Sequence, residues 1–558
     1  ATPDATRCRE RPINFTMAIA VLIAAVAQVE FSAWTTHPAS TGPITEASVL
    51  CTPANTTFHC TVGKFDAVKW TARAMFTASG NATGWSTINV ESNKEATDAA
   101  ASFAAGYVEG YLTSALIDLE WLNLEQQTTL SPKMREFILA NNAWARSQAA
   151  TFGDDYWKSV GHVYSQFDGI VAGYQSSPSK HFKTSPLNAM QILLIGLVTE
   201  LGDIQSAVEP SKRPKFDQFT HEQLTDYIFT HSHCSAMIKV LPDLSELYAA
   251  HNTWFAYEDM GLRIWKVYNL PLSTAKAHTV SFPGYPAKIA GIDDFYVTSQ
   301  KLTVIETTNN VFDTSLFDHV TPSTVPYWVR VTVANRLASN GPDWHEAFYK
   351  FNSGTYNNQW MTVDYKLFTP RQPLLPNTLY VSEQIPGYYQ SGDQTMVLQR
   401  GHWPSYNVAF YEDIYSMSGY PQIVKQFGAS QSYQLAPRAP IFRRDADGMV
   451  HDLPSMQTFM RLNKFNMSDP LMPSPESAIA ARGDLMPGGH QRAAGAYDGK
   501  ITSHALIMKD LGTTAIAGPT ANDQPVFSWT GAWADMKKYP HWGHPERFEF
   551  EWEVFTVA

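Results

Sequence analysis

The sequence predicts a mixed α+β fold, and three observations carry that reading. Residues 98–208 hold consecutive stretches with apolar side chains at three- and four-residue spacing. Beyond Cys234 the chain alternates Thr, Val, Tyr and Phe under Pro and Gly punctuation, the pattern of strands. With 558 residues, 44% of them hydrophobic, the chain buries a large core. That length allows either two to four domains or one large body.

Along the chain, Arg7, Arg9 and Arg11 precede the apolar run Met17–Ala27, which closes on Ala25-Val26-Ala27. This is the order of a secretory leader, so residues 1–27 are expected to be removed and Met17 is a candidate start. The run is short for a membrane span. Residues 28–64, rich in Thr, Pro, Ser and Ala, read as a loose lead-in, and strands are expected between 65 and 90. Helices are expected over 98–121, 133–149 and 156–175. Residues 187–208 are apolar nearly all round but carry Gln191, Thr199, Glu200 and Asp203, which suits one buried core helix. The stretch 209–223, "EPSKRPKFDQFTHEQ", reads as an exposed linker that ends just ahead of Cys234.

Net charge is -11, from 41 Lys+Arg against 52 Asp+Glu, with no long basic run, so no nucleic-acid partner is expected. Asn55, Asn81 and Asn466 each open an N-x-Ser/Thr triplet, which fits a secreted glycoprotein. Cys51 and Cys60 flank the first triplet and would close a small loop as a disulfide. Cys8 falls in the leader. Cys234 is then left without a partner.

Four readings of Cys234 stand at this point: a buried hydrophobe, a metal ligand, an intermolecular disulfide or a nucleophile. His231-x-His233-Cys234 gathers three donors in four residues, but no second cluster such as CxxC or HExxH follows, so no metal is expected. "SAMIKVL", "PDLS" and "ELYAAHN" read as strand, turn and returning strand. If the loop is Pro242–Ser245, Leu241 pairs with Glu246; if it is Pro242-Asp243 alone, Cys234 faces His251. The longer loop is favoured, since two-residue hairpins want Gly or Asn. Either register brings His251 within about two residues of facing the thiol, roughly 7 Å or less. Asn357-Asn358-Gln359-Trp360 is expected to be strand and turn.

The stretch "HCSAMIKVLPDLSELYAAHNTWFAYEDMGLRIWKVYNL" (233–270) resembles the signature of the phospholipase B-like family. Further blocks resemble it in order: "AAGYVEGYLT" (104–113), "YWKSVGHVYSQFDGIVAGYQ" (156–175), "IDDFYVTSQKLTVIETTNN" (292–310), "SGTYNNQWMTVDY" (353–365), "RGHWPSYNVAFY" (400–411) and "APRAPIFRRD" (436–445). The resemblance implies an N-terminal-nucleophile hydrolase with a four-layer αββα sandwich. It implies self-cleavage between His233 and Cys234, giving chains 28–233 (with a linker over about 209–233) and 234–558. By the same resemblance Cys234 is the nucleophile and His251 orients it. Arg438 is the cation favouring thiolate, Asn407 the oxyanion donor and Trp254 a pocket wall. Thr308 holds the site together, with Thr307 an equal rival. No cofactor is implied. The implied function is deacylation of glycerophospholipids in the lysosome or secretory pathway. The alternatives are an amidase for N-acyl lipids or other linear amides and a catalytically weak lipid-binding glycoprotein. The implied partner is a lipid or acyl-amide substrate, with peripheral membrane contact; the sequence carries no sign of oligomeric state.

Overall fold

Strands in the second half of the chain bury both of their faces, and that dictates how the layers stack. In the computed structural model, which describes residues 44–54, 57–64, 69–231 and 234–557, the strands Leu302–Thr308 and Asn358–Asp364 are buried at every position. Each face therefore needs a cover. Leu302, Val304 and Trp360 enter an apolar cluster shared with the helices Asp98–Leu112, Asp155–Ser176 and Tyr327–Leu337. Ile305, Met361 and Val363 enter another, shared with Met237, Ile238, Leu247 and Ala249 of a second sheet. Phe442, Met456 and Phe459, from the helices Ala439–Met449 and Leu453–Met460, belong to that same cluster. The order is helices, sheet, sheet, helices: the α+β, four-layer αββα arrangement that the resemblance implies.

The larger sheet has eleven strands, in spatial order Tyr388–Asp393, Leu379–Ile385, Asn358–Asp364, Leu302–Thr308, Phe295–Thr298, Thr279–Gly284, Ile264–Asn269, Ser86–Ser92, Ala72–Thr77, Ile44–Ala54 and Thr57–Gly63. The smaller has six: His402–Ser405, Ser235–Val240, Leu247–Asn252, Asp498–Ser503, Thr513–Ala517 and Glu553–Phe555. Ser86–Ser92 and Ile264–Asn269 pair in parallel, Ser86 beside Ile264 through Glu91 beside Asn269. That ladder joins chain from before Cys234 to chain from after it. Among the described residues no single helix is long and apolar enough to cross a membrane.

Several local expectations change. Within the lead-in, Ile44–Ala54 and Thr57–Gly63 pair antiparallel, and Cys51 faces Cys60 in register as a disulfide. The outer strand is exposed or half-buried throughout, which is why no apolar run announced it. Residues 187–208 break into Ala189–Leu197 and Leu201–Val208, bent by 98°. The break falls where buried Glu200 accepts hydrogen bonds from the Thr355 hydroxyl and, at 3.2 Å, the Tyr327 backbone N–H. The linker is exposed as expected but not featureless. Phe216 is buried against Tyr227 and Phe312, and the helix His221–His231 occupies the run toward Cys234. Residues 412–460, expected as strand, are mostly helical: Glu412–Met417, Tyr420–Phe427, Ala439–Met449 and Leu453–Met460. Asn358 opens a strand, as expected. Asn81 and Asn466 are exposed; Asn55, Cys8, His233 and the leader 1–27 lie outside the described residues.

The helix layer depends on one close crossing. Gly106 and Gly110 of Asp98–Leu112 lie against the backbone of Gln166 and Ile170, and Gly169 and Gly173 of Asp155–Ser176 lie against that of Phe103 and Tyr107. A Cβ on Gly106 would sit 1.8 Å from the Gln166 carbonyl oxygen, and one on Gly169 would sit 2.0 Å from that of Phe103. Alanine is the better helix former by about 1 kcal/mol, yet here it forces two backbones apart. Gly169→Ala is expected to destabilise the chain by about 1–3 kcal/mol net, the cost of overpacking a filled interface. Chemical denaturation of wild type and variant checks this; an unchanged or raised midpoint would show that the crossing relaxes freely.

Candidate active site

The site starts from the hairpin. Leu241 N–H donates to the Glu246 carbonyl at 3.0 Å, and Ala236 pairs with His251. This is the longer-loop register. Cys234 precedes the strand Ser235–Val240 with φ of 82°, a left-handed conformation that costs a non-glycine residue roughly 1–2 kcal/mol. Tyr356 (φ 51°) and Asn407 (φ 71°) share that region of backbone space and also approach the site. Such strain persists only where surrounding contacts impose it.

Those contacts centre on Arg438. Its Nη1 donates to the Cys234 carbonyl at 2.6 Å and to Ser235 Oγ at 2.9 Å. Its Nη2 donates to the Tyr406 carbonyl at 3.1 Å and to Asn407 Oδ1. The guanidinium carbon lies 4.1 Å from the centre of the Trp254 ring. Asn407 Nδ2 in turn donates to the Thr308 carbonyl at 2.6 Å, and the Tyr420 hydroxyl donates to the Asn407 carbonyl at 2.9 Å. Thr307 and Thr308 divide their work: Thr308 contributes its carbonyl, while the Thr307 hydroxyl bonds Ser405 Oγ at 2.5 Å.

The thiol faces elsewhere. Cys234 Sγ lies 3.7 Å from Glu306 Oε1, which also accepts from the Tyr356 hydroxyl at 3.1 Å. One ligand atom each from Cys234, His251 and Glu306 falls within 4.8 Å of the others. All three residues are fully buried. Burial, then the neighbouring Glu306, push the thiol well above its ordinary pKa. Burial and Lys500 hold His251 well below the usual imidazole value. Burial and Asp294 raise the Glu306 carboxyl. In the uncut chain the three groups thus rest as thiol, neutral imidazole and carboxylic acid. Beyond His251 sits a charged cluster: Arg263 and Lys500 contact Asp293 and Asp498, all with fully buried side chains.

The structure therefore brings Cys234, His251, Trp254, Thr308, Asn407 and Arg438 together. Arg438 grips the Cys234 carbonyl and also interacts electrostatically with the thiol, as Lys500 does. Two other roles differ from expectation. The Asn407 amide, expected as an oxyanion donor, is already spent on Thr308. Trp254 is buried under Arg438 instead of lining open space. Nor do the donors near Cys234 come from its sequence neighbours: His231 stacks on Tyr227 with ring centres 3.9 Å apart. Sequence reasoning missed Glu306, Tyr356 and Lys500. Glu306 left one signal, a lone carboxylate inside the strand "LTVIETT".

Comparison with protein families matches the phospholipase B family over residues 72–555. Phospholipase B-like protein B of Dictyostelium discoideum is 38% identical over 501 residues, covering 87% of this chain and 85% of that protein. Phospholipase B-like 1 of Bos taurus is 35% identical over 495 residues, covering 87% of this chain and 88% of that protein. Among solved structures, a mutant conjugated bile acid hydrolase from Clostridium perfringens is 11% identical, covers 58% of this chain and 97% of its own, and superposes with a TM-score of 0.30.

Two outcomes are expected from the site. Arg438→Lys keeps the charge but not the fork, leaving buried acceptors at Cys234, Tyr406 and Asn407 short of donors. Uncut chain carrying it is expected to lose about 3 kcal/mol in urea unfolding; a loss below about 1 kcal/mol, the level of a surface pair, would mean that the fork holds little. The second concerns pH. Glu306 stays protonated when folded but ionises in the unfolded chain above its ordinary 4.5. Its contribution is full below that pH and is lost as pH rises toward the folded value. Glutamine copies the acid and does not titrate. Glu306→Gln is therefore expected to gain on wild type progressively as pH rises above 4.5, until the folded value is reached. Unfolding curves across pH check it, and a gap that does not widen counts against an acid at this position.

Proposed function

The chain belongs to the phospholipase B family, and from that premise we propose that it is a self-processing cysteine hydrolase that deacylates glycerophospholipids in the lysosome or secretory pathway. The observation that carries this reading is the setting of Cys234: unpaired, strained, and immediately before an inner strand of the smaller sheet, with its carbonyl clamped by Arg438. A buried thiol acting only as a small hydrophobe needs no such clamp.

Maturation follows from ordinary thiol chemistry. Cys234 Sγ adds to the carbonyl carbon of His233, the sulfur's proton passes to the Cys234 nitrogen, and the C–N bond breaks to leave a thioester. Water then hydrolyses that thioester, giving a carboxylate on His233 and a Cys234 carrying both a free amine and a thiol. The new α-amine has an ordinary pKa of about 7.7–8.0, against about 8.5 for a thiol, so it is matched to take the thiol proton. The thiolate attacks the substrate's acyl carbon, the alcohol leaves with a proton from the ammonium, and water frees the fatty acid. Asn407 serves as an oxyanion donor once its amide swings off the Thr308 carbonyl.

The first bond this thiol breaks is an amide, its own. That favours one second reading, a preference for N-acyl lipids or other linear amides over esters.

N-terminal sequencing of mature protein is expected to find a chain beginning CSAMIKV. Cys234→Ala is expected to stay uncut and to lose phosphatidylcholine turnover by about a thousandfold or more. Equal turnover by wild type and variant would sink the hydrolase reading and leave a lipid-binding glycoprotein. Faster release from N-acyl amides than from phosphatidylcholine would select the amidase.

A further inference from the structure

Three donor groups converge in the uncut chain with few other partners. Cys234, His251 and Glu306 each direct a ligand atom into a space less than 4.8 Å across, and each is fully buried. Glu306 Oε2 closes no hydrogen bond, and the partner of the His251 imidazole is the Glu306 backbone, which leaves its other ring nitrogen free. Other buried polar atoms in this structure also lack a partner, and what sets these apart is that they converge with a thiol on one space.

The spacing supplies a reason for the convergence. A tetrahedral zinc ion with sulfur at about 2.3 Å and carboxylate oxygen at about 2.0 Å holds those ligands about 3.5 Å apart. Cys234 Sγ and Glu306 Oε1 stand 3.7 Å apart already. The Tyr356 hydroxyl donates to Oε1 at 3.1 Å, the kind of outer contact that fixes a metal-binding carboxylate. Thiolate with imidazole favours zinc over magnesium or calcium. Thiolate and carboxylate neutralise a divalent ion, and beyond them Arg263 and Lys500 offset Asp293 and Asp498.

We propose that Cys234, His251 and Glu306 form a zinc site in the uncut chain, and that zinc bound there delays self-cleavage. Binding transfers the thiol and carboxyl protons to solvent and commits the sulfur lone pair that would attack His233. The second half of the proposal rests on the self-processing reading; the site itself does not. Because all three ligands are buried, the ion enters as the chain folds.

The test is cell-free synthesis of the full chain with cobalt(II), zinc or a chelator present from the start. With cobalt, the expected result is one ion per chain and a thiolate-to-metal charge-transfer band in the near ultraviolet. Cys234→Ala should lack the band, and Glu306→Gln should bind more weakly. Tyr356→Phe, which deletes a single hydroxyl, should keep the band but weaken binding by about 10–100-fold. No band in wild type, or an equal one in Cys234→Ala, overturns the site. For processing, free zinc about a hundredfold above its dissociation constant leaves about one chain in a hundred open, so the chain beginning at Cys234 should appear about a hundredfold more slowly than with chelator. Equal rates with zinc bound overturn the control of cleavage. No cleavage even in chelator overturns self-processing, and with it that control, while the cobalt band still reports on the site.

Discussion

Arg438 is the contact on which the rest of the site depends. One guanidinium spans the start of the strand after Cys234, the turn at Tyr406 and Asn407, and the face of Trp254. Through Asn407 it reaches Thr308 at the end of a strand in the other sheet. These segments are far apart in sequence, and two of them hold residues with positive φ. A strained backbone stays strained only if something stiff pays its cost. A planar fork with several donors, backed by an aromatic ring, is stiff in the way a lysine is not.

By gripping the carbonyl of Cys234, Arg438 fixes where the residue is, and its charge also acts on the sulfur. Glu306, Lys500 and Asp498 set the rest of the sulfur's electrical environment. In the uncut chain that environment favours neutral forms throughout. A low dielectric makes an isolated thiolate costly, and an ionised Glu306 beside it would add to the cost. On the self-processing reading proposed above, reactivity then comes from a change in the site, the new amine at Cys234.

How much of this was legible from the sequence follows from the range of each interaction. The hairpin register was readable because it is local: Pro242 to Ser245 makes a four-residue loop, and strand spacing does the rest. The helix Asp155–Ser176 was readable from its apolar spacing. The break at Glu200 was not, because Thr355 and Tyr327, which hold its carboxylate, come from distant chain. The edge pair Ile44–Ala54 and Thr57–Gly63 hid for the opposite reason, since a strand exposed on its outer side carries little apolar pattern. Arg438 and Asn407 emerged only through family resemblance. Their roles could not follow from residue type, because an arginine on a carbonyl and an arginine on a sulfur look the same in sequence. Glu306, Tyr356 and Lys500 come from three strands or loops that only the layered fold brings near Cys234.

The layering also constrains what a cut at Cys234 can do. Four strands from before that residue and seven from after it form the larger sheet, joined through Ser86–Ser92 and Ile264–Asn269. The helices Asp98–Leu112 and Asp155–Ser176 share an apolar cluster with Leu302, Val304 and Trp360 across the same boundary. Separating the two pieces would expose a sheet edge and strip the helix layer from its cover, a cost comparable to unfolding. Breaking one peptide bond beside Cys234 therefore leaves the body together and adds an amine and a carboxylate beside the thiol. The smaller sheet places Ser235–Val240 between His402–Ser405 and Leu247–Asn252, so paired strands flank the freed residue on both sides. A chain end is ordinarily the most mobile part of a protein. Here it would begin inside a sheet, with its carbonyl already held by Arg438, which is the rigidity that a nucleophile at a chain end requires.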